Sequence, residues 1–304
     1  MRNTFIKTLV ESARKDKDIC LIIGDLGFGV VTPFMEEFPE RFFNAGIAEQ
    51  NMTSVAAGMA KEGKKVVTYS IGNFTTLRCL EQIRNDCAYH EVNVKIVSVG
   101  GGLAYGAHGM THHATEDIAI MRAIPNVMVF APGDPEEAKE VTKAMFAHEG
   151  TCYLRLGKGG EKRIHEEIKN FRIGKAIKIK EGNEIAIFST GAILDEATGA
   201  RQRLEEMGYC VAQYSFPTIK PIDSETILDC ANKCNMIVSV EEHNILGGLG
   251  GAVAEVLAEH NTKAKLVRIG MPDTFSSVVG KQSYLREVYG LSAKKIVEKV
   301  LSKL

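Results

Sequence analysis

Apolar residues in this chain gather in short runs, separated by segments where they recur every three or four positions. ICLIIG (19–24) is one such run, ending in glycine. KKVVTYS (64–70), VKIVSVG (94–100), NVMVFAP (126–132) and TCYLRLG (151–157) are others. Apolar runs of this length, bounded by turn residues, predict strands buried on both faces of a parallel sheet. The segments between them have helical spacing. Ala48, Met52, Val55 and Met59 stand at i, i+4, i+7 and i+11, and Leu77, Leu80, Ile83 and Cys87 are spaced 3, 3 and 4. PEEAKEVTKAMFAHEG (135–150) has proline in its first turn and glycine at its end, as a helix prefers. The alternation predicts an α/β fold, a doubly wound parallel sheet covered by helices.

Residues 157–172, GKGGEKRIHEEIKNFR, break the pattern with glycines and charges. A second, smaller α/β series follows. Its strands are EIAIFSTG (184–191), GYCVAQYS (208–215), NMIVSVEE (235–242) and AKLVRIG (264–270), with helices over 193–208 and 247–261 between them. The expected division is a first domain at 1–165, a linker at 166–181 and a second domain at 182–304. A length of 304 residues agrees with two domains at roughly 150 residues each.

Composition adds exclusions. Hydrophobic residues are 45% and charged residues 25%, enough for a sizeable core and too apolar for disorder. A net charge of −1 gives no global attraction to nucleic acid or anionic membrane. The start, MRNTFIKTLVESARKDKD, lacks the apolar core of a signal peptide, and no window approaches 18 uninterrupted apolar residues. Seven scattered cysteines with one CxxxC (Cys230, Cys234) suit free thiols in a reducing cytoplasm.

Candidate chemistry lies in four places. GDLGFG (24–29) follows a strand but lacks both the GxGxxG spacing and a P-loop Lys-Ser/Thr pair. GGLGGAVAE (247–255) opens a helix, where backbone N–H groups could meet an anion or serve packing alone. GGGLAYGAHGMTHHATED (100–117) is long, glycine-rich and holds His108, His112 and His113 directly after a strand, where open α/β sheets bind ligands. Adjacent histidines point apart and no HExxH accompanies them, so acid–base or hydroxyl contact suits them better than metal. The fourth is Glu49, a carboxylate at the start of an otherwise small, apolar helical segment. Acids are favoured in a first turn by the helix dipole; a carboxyl held in an apolar seam could equally meet a ligand nitrogen.

Taken in order, GIAEQNM, EQIRND, GMTHH, MRAIPNV and YLRLG resemble the pyrimidine-binding and C-terminal domains of the transketolase family, over almost the whole chain. The likeness is strongest to the C-terminal subunit of split, two-gene transketolases. It is close to the C-terminal half of 1-deoxyxylulose-5-phosphate synthase and more distant from the beta subunit of 2-oxo acid dehydrogenases. The resemblance implies thiamine diphosphate as cofactor, with Glu49 hydrogen-bonding the N1′ nitrogen of its aminopyrimidine. It implies Phe74, or Ile71 if the alignment slips, stacking on that ring, and Arg78 facing the cofactor. His112 would contact substrate oxygen as a second catalytic residue, while Arg155 and Lys158 would hold a substrate phosphate. His108 stands where relatives carry an acid that recognises a sugar hydroxyl, which opens the choice of substrate. This chain has no GDG…N motif, and the resemblance implies no metal ligand among its own residues. The resemblance therefore assigns Mg²⁺ and the diphosphate to an N-terminal partner subunit, in an α₂β₂ assembly that also pairs two copies of this chain. The implied reaction moves a two-carbon ketol unit from a ketose, phosphorylated, to an aldose. The rivals are a pyruvate–aldehyde condensation, a non-catalytic subunit of the same fold, and a plain nucleotide-binding protein. Glu241, Glu242 and His243 form a polar cluster at a strand end with no assigned role.

Overall fold

The computed structural model describes residues 1–304. The first half supplies β1 (Ile19–Ile23), β2 (Phe42–Asn44), β3 (Lys65–Ile71), β4 (Val94–Val99), β5 (Val127–Phe130) and β6 (Thr151–Leu156). The second half supplies β7 (Ile177–Lys180), β8 (Ile185–Thr190), β9 (Val211–Ser215), β10 (Thr218–Lys220), β11 (Met236–Asn244) and β12 (Lys265–Met271). One sheet runs β10-β5-β6-β4-β3-β1-β2 and is parallel except for β10, which pairs antiparallel with β5. The other runs β12-β11-β8-β9-β7 and is parallel except for β7.

The apolar runs become strands because both faces of the first sheet are covered. Ile22, Val66 and Ile96 face one core with Met52 and Ile118. Their neighbours Leu21, Val67 and Val97 face the opposite core with Phe5, Leu9 and Met145. The first of these cores continues without a break into the second half, through Phe188, Phe216, Ile227 and Ile237. A third core lies on the other face of the second sheet, around Ile187, Val238 and Ile296.

Three features depart from the sequence pattern. The helix expected from the spacing of Leu77, Leu80, Ile83 and Cys87 is segmented into a 3₁₀ turn at Leu77–Cys79, a short α turn at Leu80–Gln82 and a π-helical stretch at Ile83–Ala88. Ile83 and Cys87 are fully buried while Leu77 is exposed, so the wider π turn keeps one part of the apolar face inward and releases the other. The helix Glu49–Lys61 is not buried all round: Met52, Thr53, Ala56 and Ala57 point inward, but Val55 is exposed. Finally β10, within the expected second domain, closes the edge of the first sheet, and β7 falls inside the expected linker at 166–181. The segment 157–176 carries no helix or strand, yet it is strapped down. The main-chain N–H groups of Ile164 and His165 each donate to Asp134 Oδ2 at 2.8 Å.

Candidate active site

The carboxyl ends of β1, β3, β4 and β6 lie side by side and carry most of the candidate residues. Glu49 begins the helix that follows β2 and is 2% exposed. Gly24, just past β1, backs directly on it: a Cβ there would lie 3.1 Å from Glu49 Cγ and 3.2 Å from Ser70 Oγ. The hydroxyls of Ser70, on β3, and Ser98, on β4, are buried without a hydrogen-bond partner. Buried polar groups normally find partners. An acid beside the orphaned Ser70 hydroxyl, with glycine holding the space open, is therefore suited to a polar ligand.

Arg78 Nη1 donates to Glu49 Oε2 at 2.6 Å, and its guanidinium lies 4.4 Å over the Phe74 ring. Sequence alone directed Arg78 toward a ligand; the structure also gives it a partner in this chain, the Glu49 carboxylate. Phe74 meets His112 edge-on, with ring centroids 5.3 Å apart. Ile71, the alternative to Phe74, is the half-buried last residue of β3. Asn73 locks this turn to the histidine loop by donating from Nδ2 to the His113 carbonyl oxygen at 2.5 Å.

The loop after β4 gathers more rings. His108 and His112 are 5.0 Å apart by centroid, and Tyr105 presents an edge to both. Lys158, after β6, places Nζ 4.8 Å from the centroid of Tyr105. Burial lowers the pKa of His112, and the neighbouring charges of His108 and His113 lower it further, so its neutral form prevails near neutral pH. His113 turns the other way and is buried, its Nε2 3.5 Å from the Gly106 carbonyl. Tyr105 carries no signal of its own in the sequence beyond its place inside the glycine-rich loop.

Arg155 does not join this group. It is buried, donating from Nε to Asp117 Oδ2 at 2.8 Å and from Nη2 to the carbonyls of Ala114 (2.8 Å) and Glu242 (2.9 Å). A guanidinium fixed this way has no fork free for phosphate, contrary to the expectation for Arg155. The helix start at GGLGGAVAE is also filled from within: Glu241 accepts from Leu249 N at 2.7 Å and Gly250 N at 2.8 Å. A cleft of about 500 Å³ lies between the two halves, lined by Phe74, Arg78, Met110, Thr115, Met271 and Phe275 among others. Phe74 and Arg78 belong both to its wall and to the surroundings of Glu49.

The arrangement can present a buried carboxylate and a flat aromatic face to a heterocycle, and imidazoles and an ammonium to an oxygen-rich or anionic second ligand. Comparison with known proteins bears on which. Residues 1–160 match the family described as transketolase, pyrimidine binding domain, and residues 174–296 match transketolase, C-terminal domain. A protein of Methanocaldococcus jannaschii with the provisional name transketolase C-terminal section is 41% identical, covering 100% of this chain and 96% of its own. One of the subunits of apulose-4-phosphate transketolase from Actinobacillus succinogenes is 33% identical over 99% of this chain and 97% of its own. A solved structure described as a split gene transketolase in an inactive beta4 tetramer superimposes with a TM-score of 0.92 at 36% identity, covering 99% of this chain and 97% of that one.

Proposed function

The chain belongs to the transketolase family, and from that premise we propose that it is the C-terminal subunit of a split enzyme that uses thiamine diphosphate to transfer a two-carbon ketol unit from a phosphorylated ketose to an aldose. The observation that carries this reading is Glu49, a buried acid at a helix start that backs on the unpartnered Ser70 hydroxyl and pairs with Arg78, whose guanidinium lies over Phe74. Thiamine diphosphate supplies a carbon nucleophile and electron sink that amino acid side chains lack. Glu49 would hold and polarise the ring nitrogen of its aminopyrimidine, and Phe74, or Ile71 beside it, would support the ring face. Arg78 would shift from, or share, the carboxylate it now meets. His112, kept neutral, can donate or accept one proton at a substrate oxygen. Lys158 supplies a fixed positive charge at the same mouth.

His108 widens the substrate question. A carboxylate only accepts hydrogen bonds, whereas an imidazole offers one donor and one acceptor. Next to His112 and Lys158 it makes this end of the site more receptive to an anionic or carbonyl-bearing group. The absence of GDG…N from the sequence, and the names of its relatives as sections or subunits, support a partner chain that binds Mg²⁺ and the diphosphate, in an assembly with two copies of each. All seven cysteines are free, in keeping with a reducing, cytoplasmic setting.

The test is reconstitution with the polypeptide encoded beside this chain, followed by assay with thiamine diphosphate, Mg²⁺ and either a ketose phosphate or pyruvate as donor. Cofactor-dependent ketol transfer without CO₂ release supports the reading. CO₂ release from pyruvate would replace it with a deoxyxylulose-phosphate-synthase-like condensation. No cofactor-dependent turnover with either donor would leave a non-catalytic subunit.

A further inference from the structure

The loop that carries Tyr105, His108 and His112 is closed at its root by an isolated antiparallel bridge. Gly102 N donates to the Ala114 carbonyl at 2.8 Å and Ala114 N to the Gly102 carbonyl at 3.0 Å. That root rests on the second half of the chain. We propose that Glu242, at the end of β11, is the positioning residue of the histidine loop, so that the second domain sets where the substrate-facing imidazoles stand. The proposal rests on the functional reading above for its catalytic consequence, but its structural half stands alone.

Glu242 is buried and uses both of its carboxylate oxygens. Oε1 accepts from Leu103 N at 2.6 Å and from Gln282 Nε2 at 2.8 Å; Oε2 accepts from Arg286 Nε at 2.5 Å. Its carbonyl takes Arg155 Nη2, which also binds the Ala114 carbonyl on the other side of the bridge. One residue therefore holds Leu103 directly and Ala114 through a single guanidinium. Two further links reinforce the root: Asn244 N donates to the Thr115 carbonyl at 2.7 Å, and Gly280 N to the Gly106 carbonyl at 3.2 Å. The fit leaves no slack. Gly102 has φ +65°, and a Cβ there would lie 2.5 Å from Glu242 Oε1 and 2.6 Å from its carbonyl oxygen. Only glycine adopts this conformation freely and admits so close an approach.

Such a root matters because reacting groups must be held within fractions of an ångström, and a misplacement near 1 Å can cost about 10²-fold in rate. A residue that merely glued two domains together would affect folding and cofactor affinity along with substrate turnover. A residue that aims the loop affects substrate steps and spares the cofactor, whose contacts lie on Glu49 and Phe74.

The experiment compares two variants. The double variant Glu242→Met with Arg286→Met removes the acceptor for Leu103 N without stranding a buried charge, since apolar isosteres of a buried pair are tolerated. Glu242→Gln combined with Arg286→Met also removes the buried pair but retains an acceptor oxygen for Leu103 N, and serves as the conservative rescue. Amide hydrogen exchange over residues 103–114 is measured on this chain, and kcat/KM with the cofactor dissociation constant on the reconstituted complex. The Met/Met double variant should lose protection across the loop and about 10²-fold in kcat/KM with cofactor affinity unchanged, while Glu242→Gln with Arg286→Met stays near the parent in both. Native-like protection in the Met/Met double variant overturns the anchor. Lost protection with kcat/KM unaltered, or with cofactor affinity falling in parallel, overturns the positioning role. The exchange arm needs no substrate, so failure of the functional reading and failure of the anchor give different results.

Discussion

Replacing Asp117 with alanine would strand a buried cation, and the structure allows the cost to be worked out. Asp117 Oδ2 accepts from the Tyr153 hydroxyl at 2.5 Å and from Arg155 Nε at 2.8 Å, and all three residues are buried. With the acid removed, Arg155 keeps only the neutral carbonyls of Ala114 and Glu242. Breaking a buried pair from one side costs roughly 3–5 kcal/mol, because the remaining charge is neither solvated nor paired. Tyr153→Phe removes one hydrogen bond to a charged acceptor and leaves the pair intact, a loss of about 1.5–3 kcal/mol. Asp117→Ala combined with Arg155→Met removes both charges and should recover most of the single variant's loss. Urea unfolding, followed by probes in both halves because two domains need not unfold as one step, gives the ordering. Asp117→Ala below about 1 kcal/mol, or a double variant no more stable than the single, would refute the assignment of this cluster as a buried joint.

Gly72→Ala should destabilise the chain by about 1–3 kcal/mol, because its Cβ would fall 2.5 Å from that of Ala114; a melting temperature equal to the parent's would contradict it. Burial lifts the Glu137 carboxyl from its ordinary 4.5 to about 7. Burial lowers His165, but its hydrogen bond to Asp134 and the nearby Glu137 outweigh that and raise it. A raised folded-state pKa gives stability that is complete below the unfolded value and is lost as pH rises through the folded one. Glu137→Gln should therefore gain on the parent in melting temperature between about pH 4.5 and about pH 7, and a difference that is flat with pH would count against it. His108→Asp replaces a neighbour that lowers the pKa of His112 with one that raises it, so the imidazole titration followed by NMR should move upward; an unmoved titration would show that position 108 does not act on His112.

Much of this fold was legible because burial on both faces writes itself into composition. The central strands of both sheets are rich in apolar residues and buried along most of their length, whereas β2, β7 and β10 are three- or four-residue edges. Ile177–Lys180 alternates apolar and lysine, and Thr218–Lys220 precedes a proline, so neither stands out from a loop. The histidine loop was legible from its length and glycines after β4. Arg155 was not, because a strand-end arginine reads the same whether it awaits an anion or is already paired. Its partners lie 38, 41 and 87 residues away, and only the closed fold brings them together. Glu241 and Glu242 gave no signal for a similar reason: one caps a helix start eight and nine residues on, the other reaches back 139 residues to Leu103. The exposure of Val55 was also illegible, since helical spacing describes an apolar face but not whether this chain or another covers it.

The most direct test of the central claim is the cofactor-dependent turnover of the reconstituted complex carrying Glu49→Gln, measured with cofactor binding in the same preparation. The amide keeps the shape of the side chain but gives up the carboxylate that would polarise the aminopyrimidine. The account predicts that thiamine diphosphate still binds and turnover falls by a factor on the order of 10²–10⁴. Turnover within a few-fold of the parent, with the cofactor bound, would contradict it.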